Sequence, residues 1–240
     1  MFRNIFTLIR IVFWMVRQDS LRKQAIKLNK AGKIRERDEL VFGIVPKWAQ
    51  YVAKVTGTTV TVKGLEKIPQ DRAVVIIANH QGLMDIPAIY GYIPKAISFI
   101  SKVEIKKIPL IRDWMELLQC TFMNRKSPKD SVKAIYDAAE GVKKGYSQVI
   151  FPEGTRSKGG PHRQFKPGSF KLAFLSQAPI LPVTISGTYK VYEEHKKIKK
   201  GNEVILTVHD PIETAGLSRE QQALIPQQVE NTVCSALIQP

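Results

Sequence analysis

Two short stretches hold the side chains best suited to chemistry. The first is Asn79-His80-Gln81-Gly82-Leu83-Met84-Asp85, which follows the apolar run AVVIIAN (73–79) and precedes a helix opening at Asp85-Ile86-Pro87. On one continuous helix, His80 and Asp85 would lie about 140° apart and could not meet. In a strand–loop–helix turn, the loop histidine can lie beside a carboxylate in the first turn of the helix. A carboxylate bonded to one ring nitrogen fixes the tautomer and leaves the other nitrogen as a base. The alternative is that Asp85 only caps the helix and His80 is an ordinary loop residue.

The second stretch is Phe151-Pro152-Glu153-Gly154-Thr155-Arg156-Ser157, again directly after a β-type run. Gly154 lets main-chain N–H groups approach a ligand, Thr155 offers a hydroxyl, and Arg156 offers a two-pronged donor for phosphate. A flank rich in Gly, Lys and Arg follows, with Lys158, Gly159, Gly160, His162, Arg163, Lys166 and Gly168. It reads as a phosphate-gathering rim, or else as a turn with a solvated basic flank.

The elements that must position these groups alternate in type. Strands are expected at 59–64, 73–79, 96–101, 119–124, 147–152, 180–186 and 204–210. Run 73–79 is apolar throughout, as in a strand buried on both faces. Helices are expected from Pro109 through Leu118, from Ser127 to a stop at Gly145, over 170–177, and from Ser218 with an interruption at Pro226. This pattern predicts an α/β fold, a mainly parallel or mixed sheet flanked by helices.

The N-terminal 56 residues differ from the rest. Residues 4–16 are mostly apolar with Arg10 inside, too short a run for the roughly 20 residues that span a bilayer. Arg3, Arg10 and Arg17 recur on one stripe, with Phe13 and Trp14 among the apolar residues around them. That is the build of a helix lying in a membrane interface. The alternative is a buried helix capping the domain. A basic run over 17–37 adds attraction to an anionic leaflet. A second amphipathic helix follows, kinked at Pro46 and carrying Trp48. We therefore expect a two-helix monotopic anchor over 1–56 and an α/β domain over 57–240, with the basic run facing the cytoplasmic leaflet.

Composition limits the function classes. The 240 residues carry 37 Lys+Arg against 21 Asp+Glu, a net charge of +16, with an ordinary 44% of hydrophobic residues. The excess charge calls for a polyanionic partner. No nucleic-acid-binding motif is present, and the aromatics are not interleaved with the basic runs, so nucleic acid is not expected. Cys120 and Cys234 are too few for a disulfide scaffold or a four-cysteine zinc site. The four histidines show no zinc-like spacing with them. No G-x-S-x-G is present, and Cys120 lies in an apolar run, so a covalent mechanism is disfavoured.

Taken together, these residues resemble the glycerolipid acyltransferase family, which includes 1-acylglycerol-3-phosphate acyltransferases. NHQGLMD (79–85) is similar to the family's N-H-x4-D block, and FPEGTRS (151–157) to its third block. Ser101-Lys102-Val103-Glu104, Pro109 and Phe122-Met123-Asn124-Arg125 resemble the second block, and Ile180-Leu181-Pro182-Val183-Thr184-Ile185 the fourth. The blocks stand in the family's order over about residues 58–210. One departure is the absence of glycine between Gly91 and Gly141, where the family usually has one after the second block's proline.

The resemblance implies that His80 is a general base oriented by Asp85, acting in direct acyl transfer from a thioester to a glycerol hydroxyl. Lys102, Arg125, Glu153, Gly154, Thr155 and Arg156 would bind the glycerol phosphate. It implies lysophosphatidate as acceptor, with glycerol 3-phosphate or another lysophospholipid as the alternative. The donor would be acyl-CoA or acyl carrier protein, with no metal or organic cofactor. Arg3, Arg10, Phe13, Trp14, Arg17 and Trp48 would contact the anionic leaflet at the cytoplasmic face of the inner membrane. A basic membrane-bound lipid-binding module is the non-enzymatic alternative.

Overall fold

The computed structural model describes residues 2–124 and 126–238. The apolar β-branched runs become strands β1 (Thr58–Lys63), β2 (Val75–Ala78), β3 (Ile97–Lys102), β4 (Thr121–Met123), β5 (Ser147–Ile150), β6 (Ile180–Ser186) and β7 (Asn202–Val208). The described residues place them in one sheet of order β1-β7-β6-β2-β5-β3-β4. Every pairing is parallel except β6 with β7. This is the mixed, mainly parallel sheet expected from the alternation of elements.

Helices cover both faces, and the pleat of β2 shows why. Ile76 and Ala78 point into one apolar cluster, with Val41, Ala49, Ala88 and Ile89. Val75 and Ile77 point into the other, with Ala138, Phe170, Leu172 and Val229. Alternate side chains leave a strand on opposite faces, so a central strand buried on both must be apolar at every position. The first cluster brings in α3 (Ile34–Thr56), α4 (Asp85–Tyr92) and α5 (Pro109–Leu117), and the second α6 (Pro128–Lys143), α7 (Lys171–Ser176) and α8 (Arg219–Ser235). Ser127 caps α6, its hydroxyl accepting from the Asp130 N–H at 3.2 Å.

Two expectations need correction here. The first 56 residues hold three helices rather than two: α1 (Phe2–Arg17), α2 (Asp19–Lys30) and α3. The basic run folds as a helix of its own because Gly32, with φ +71°, turns the chain back after it. Arg22 of α2 pairs with Asp19 and with Asp113 of α5, and Ala25 is fully buried. Helix α3 is a structural layer: Val41, Val45, Ala49 and Val52 pack into the first cluster, and Gln50 donates to the Gly91 carbonyl at 2.9 Å. It runs on through Pro46. Likewise α8 continues through Pro226, where one N–H is lost while buried Ile225, Val229 and Val233 keep the helix seated. No described helix is long and apolar enough to cross a membrane.

The missing glycine of the second block has a local answer. The turn from α5 into β4 is made by Gln119 at φ +58°, with its side-chain amide donating to the Glu116 carbonyl at 3.1 Å. A glutamine occupies the left-handed region that a glycine would enter freely.

Candidate active site

The dispersed blocks meet because β2, β5, β3, β4 and β6 run in the same direction. Their carboxyl ends share one edge of the sheet, the place where open α/β sheets bind ligands. His80 leaves β2, Phe151 to Arg156 leave β5, Lys102 ends β3, and Thr188 follows β6. Asn79 locks the first of these loops onto β6: its amide donates to the Ile185 carbonyl at 2.8 Å and accepts from the Ile185 N–H at 2.7 Å.

His80 Nδ1 lies 2.6 Å from Asp85 Oδ2. Asp85 has no solvent exposure, and Oδ2 also accepts from the main-chain N–H groups of Gln81 at 2.8 Å and Gly82 at 3.0 Å. The Thr188 hydroxyl donates to Oδ1. Donors surround the carboxylate, so Nδ1 must carry the proton towards it, leaving Nε2 as the basic nitrogen. Asp85 thus reaches back to the loop amides instead of capping α4. The imidazole stacks on Phe151, with ring centroids 4.0 Å apart and planes 11° apart, which sets its tilt.

His80 lines a cavity of about 640 Å³. Its body is apolar, walled by Met15, Ile44, Tyr90, Phe99, Trp114 and Leu118. Lys102, Thr155, Arg156 and Lys166 contribute polar groups to the same cavity. One space therefore combines a base, an apolar chamber and three cations. Cys120 also lines it, but burial pushes its thiol up to about 11, so it is no ready nucleophile.

The structure brings Lys102, Gly154, Thr155 and Arg156 together at this cavity, whereas Glu153 turns away. Glu153 is 2% exposed, with Oε1 accepting from the His80 N–H at 2.7 Å and Oε2 from the Arg163 N–H at 3.2 Å. It braces the histidine loop and does not line the cavity, where the phosphate-binding reading sets it. Burial raises its pKa, with the two N–H donors opposing that shift. Gly154 makes the turn possible at φ +73°, and a Cβ there would sit 2.9 Å from Lys166 Nζ. Arg125 lies outside the described residues.

The anchor residues divide. Arg3, Arg10, Phe13 and Arg17 are exposed, Phe13 by 60%. Trp14 and Trp48 instead line the cavity from within, Trp14 stacking on Tyr51 at 6.1 Å. Trp48 is half-buried because α3 packs into the first apolar cluster.

Sequence reasoning missed Thr188 and Glu193. Glu193, with a side chain only 4% exposed, accepts from Arg156 at 2.9 Å and from the Leu83 N–H at 2.8 Å. It ties the first and third blocks to the segment after β6. A carboxylate in the run Tyr-Glu-Glu-His gives no local sign of that role.

Comparison with known proteins agrees with this geometry. The family model described as Acyltransferase matches residues 59–186, the sheet region that carries the site. A 1-acyl-sn-glycerol-3-phosphate acyltransferase of Borreliella burgdorferi is 34% identical over 170 residues, covering 70% of this chain and 67% of that protein. A chloroplastic 1-acyl-sn-glycerol-3-phosphate acyltransferase of Brassica napus is 35% identical over 153 residues, 63% of this chain but only 44% of the plant protein. The chain thus matches less than half the length of the chloroplastic relatives. The crystal structure of the 1-acyl-sn-glycerophosphate acyltransferase PlsC from Thermotoga maritima matches at TM-score 0.73 and 29% identity, over 91% of this chain and 93% of that one. A family match across the strands that carry the site, and a bacterial relative aligned along two thirds of its length, show that this chain belongs to the acyltransferase family.

Proposed function

We propose that this chain transfers an acyl group from a thioester to the free hydroxyl of 1-acyl-sn-glycerol 3-phosphate, giving phosphatidate for phospholipid synthesis. The observation that carries this reading is the His80–Asp85 pair opening into an apolar cavity that also holds Lys102, Arg156 and Lys166. The acyl chain occupies the chamber, and the cations take the phosphate monoester. Nε2 of His80 accepts the proton of the glycerol hydroxyl as its oxygen attacks the thioester carbonyl carbon. The tetrahedral intermediate collapses, the carbon–sulfur bond breaks, and the thiolate takes the proton back from the imidazolium. Asp85 stabilises that imidazolium. The names of the relatives support the acceptor. Either acyl-CoA or acyl carrier protein can supply the thioester.

The anchor, residues 1–56, meets one leaflet through α1, at the cytoplasmic face of the inner membrane. Ile5, Phe6, Leu8, Ile9, Val12, Phe13 and Val16 of α1 are all 44–62% exposed, a continuous apolar surface that favours a lipid environment. Trp14 and Met15 of the same helix wall the cavity, so a lipid acceptor can pass between bilayer and site along α1.

The test is to incubate the purified protein with lysophosphatidate or glycerol 3-phosphate, and with acyl-CoA or acyl carrier protein, and to identify the products by mass. Phosphatidate formed by wild type and lost in His80→Ala is expected. Product from glycerol 3-phosphate alone would reassign the acceptor. No acylated product from any pair would leave the lipid-binding alternative.

A further inference from the structure

The segment between β6 and β7 carries a basic surface that the acyl-transfer reading does not use. Lys196, Lys197, Lys199 and Lys200 are exposed, and among the described residues none of them pairs with a carboxylate. Two acids of the same segment are engaged elsewhere: Glu193 holds Arg156, and Glu194 pairs with His195 at 3.1 Å. The segment is a built loop and not a loose tail. Lys199 N–H donates to the Val191 carbonyl at 3.1 Å, and Gly201 N–H to the Gly57 carbonyl at 2.8 Å. Lys196 takes φ +52°, a costly conformation for a side chain with a Cβ, so surrounding contacts must hold it.

Those contacts come from the first turn of α1. Asn4 donates its amide to the Lys196 carbonyl at 3.1 Å and accepts from the Ile198 N–H at 2.9 Å, bridging residues 192 and 194 apart in sequence. The Arg3 guanidinium donates to the Ile198 carbonyl. The main chain of Lys196 and Ile198 is thereby held to the first turn of α1, the helix whose exposed Ile5, Phe6 and Ile9 line a groove with Arg3.

We propose that residues 196–200 form a second membrane contact, whose lysines engage anionic lipid headgroups while α1 lies in the leaflet beside them. Both a bilayer and an acidic protein would attract four unpaired lysines. Continuity with an exposed apolar helix favours the bilayer, which offers anionic headgroups and hydrocarbon a few ångströms apart. The proposal rests on the interfacial reading of α1 but is separable from it, because the apolar face needs no anionic lipid.

The experiment compares wild type with the K196Q/K197Q/K199Q/K200Q variant on vesicles of phosphatidylcholine and of phosphatidylcholine mixed with phosphatidylglycerol, at low salt. All four side chains are exposed, so melting temperature and turnover of a soluble short-chain acceptor should match wild type. Binding to neutral vesicles should also match. A lysine at an anionic surface gains about fivefold in affinity, so binding to the mixed vesicles should fall at least about tenfold. Equal binding of both proteins to the mixed vesicles would overturn the lysine contact and leave the α1 reading standing. Wild type that binds neither vesicle would overturn both. Unchanged vesicle binding with a raised KM for acyl carrier protein would assign the surface to an acidic donor instead.

Discussion

The Arg156 guanidinium lies 2.9 Å from Oε1 of Glu193, a carboxylate that also receives the Leu83 N–H. The arginine offered to a phosphate is therefore already held, by a group 37 residues further along the chain. Gly82 makes the contact possible, since a Cβ at that position would lie 2.6 Å from Glu193 Oε2. Glu193 acts as a positioning residue, setting the direction of Arg156 without touching the reacting atoms.

This makes Glu193→Ala a test of orientation. The acceptor KM should rise about tenfold, as for a lost charged hydrogen bond, with the donor KM unchanged. Glu193→Gln keeps an acceptor oxygen and should recover most of the loss. Equal acceptor KM values for wild type and alanine variant would refute the positioning role.

The catalytic pair predicts a different signature. His80→Ala should lower the rate by at least about a hundredfold while leaving the melting temperature near wild type, because the histidine is a loop residue and Asp85 keeps its Gln81, Gly82 and Thr188 donors without it. Asp85→Asn should lower both. Its carboxylate is buried among four donors, and an amide nitrogen in place of one oxygen would leave buried donors unpaired, at about 1–3 kcal/mol. Thermal unfolding and single-turnover rates measured on both variants separate the two effects.

Glu153 should reveal itself in the pH dependence of stability. Burial raises its folded pKa above the ordinary 4.5, so between those values the native state binds more protons than the unfolded chain. Stability from this group is then greatest at low pH and falls as pH rises from about 4.5 through the raised value. Denaturant titrations across that window should show the decline in wild type and a flatter profile in Glu153→Gln. Identical slopes would mean that the carboxylate is not desolvated as described.

Gln119→Gly should stabilise the protein slightly. A non-glycine residue at φ +58° carries about 1–2 kcal/mol of local cost, partly offset by the greater unfolded-state entropy of glycine. A gain of roughly 0.5–1 kcal/mol in chemical denaturation is expected, and a loss would show that the Glu116 contact outweighs the backbone strain.

Much was legible in one dimension. The strand and helix order followed from runs of apolar residues, because burial on one or two faces imposes periods of two or 3.6 whatever the partner. The proximity of His80 and Asp85 needed only a strand–loop–helix turn, and the apolar surface of α1 needed only helical spacing. The glycine missing from the second block was visible as well, although Gln119 as its substitute was not.

What tertiary structure decided is the direction of side chains where elements end. The residues at positions 153, 188 and 193 have no periodicity to read. Glu153 turns inward because the histidine loop, arriving from the adjacent parallel strand β2, presents the His80 N–H to it. Trp48 lines the cavity because α3 is pressed onto α4 and the sheet, and Thr188 reaches Asp85 because β6 runs beside β2. Hydrophobic pattern is a local property of the chain, whereas a strand-end side chain takes its bearing from whichever loop the sheet register sets against it.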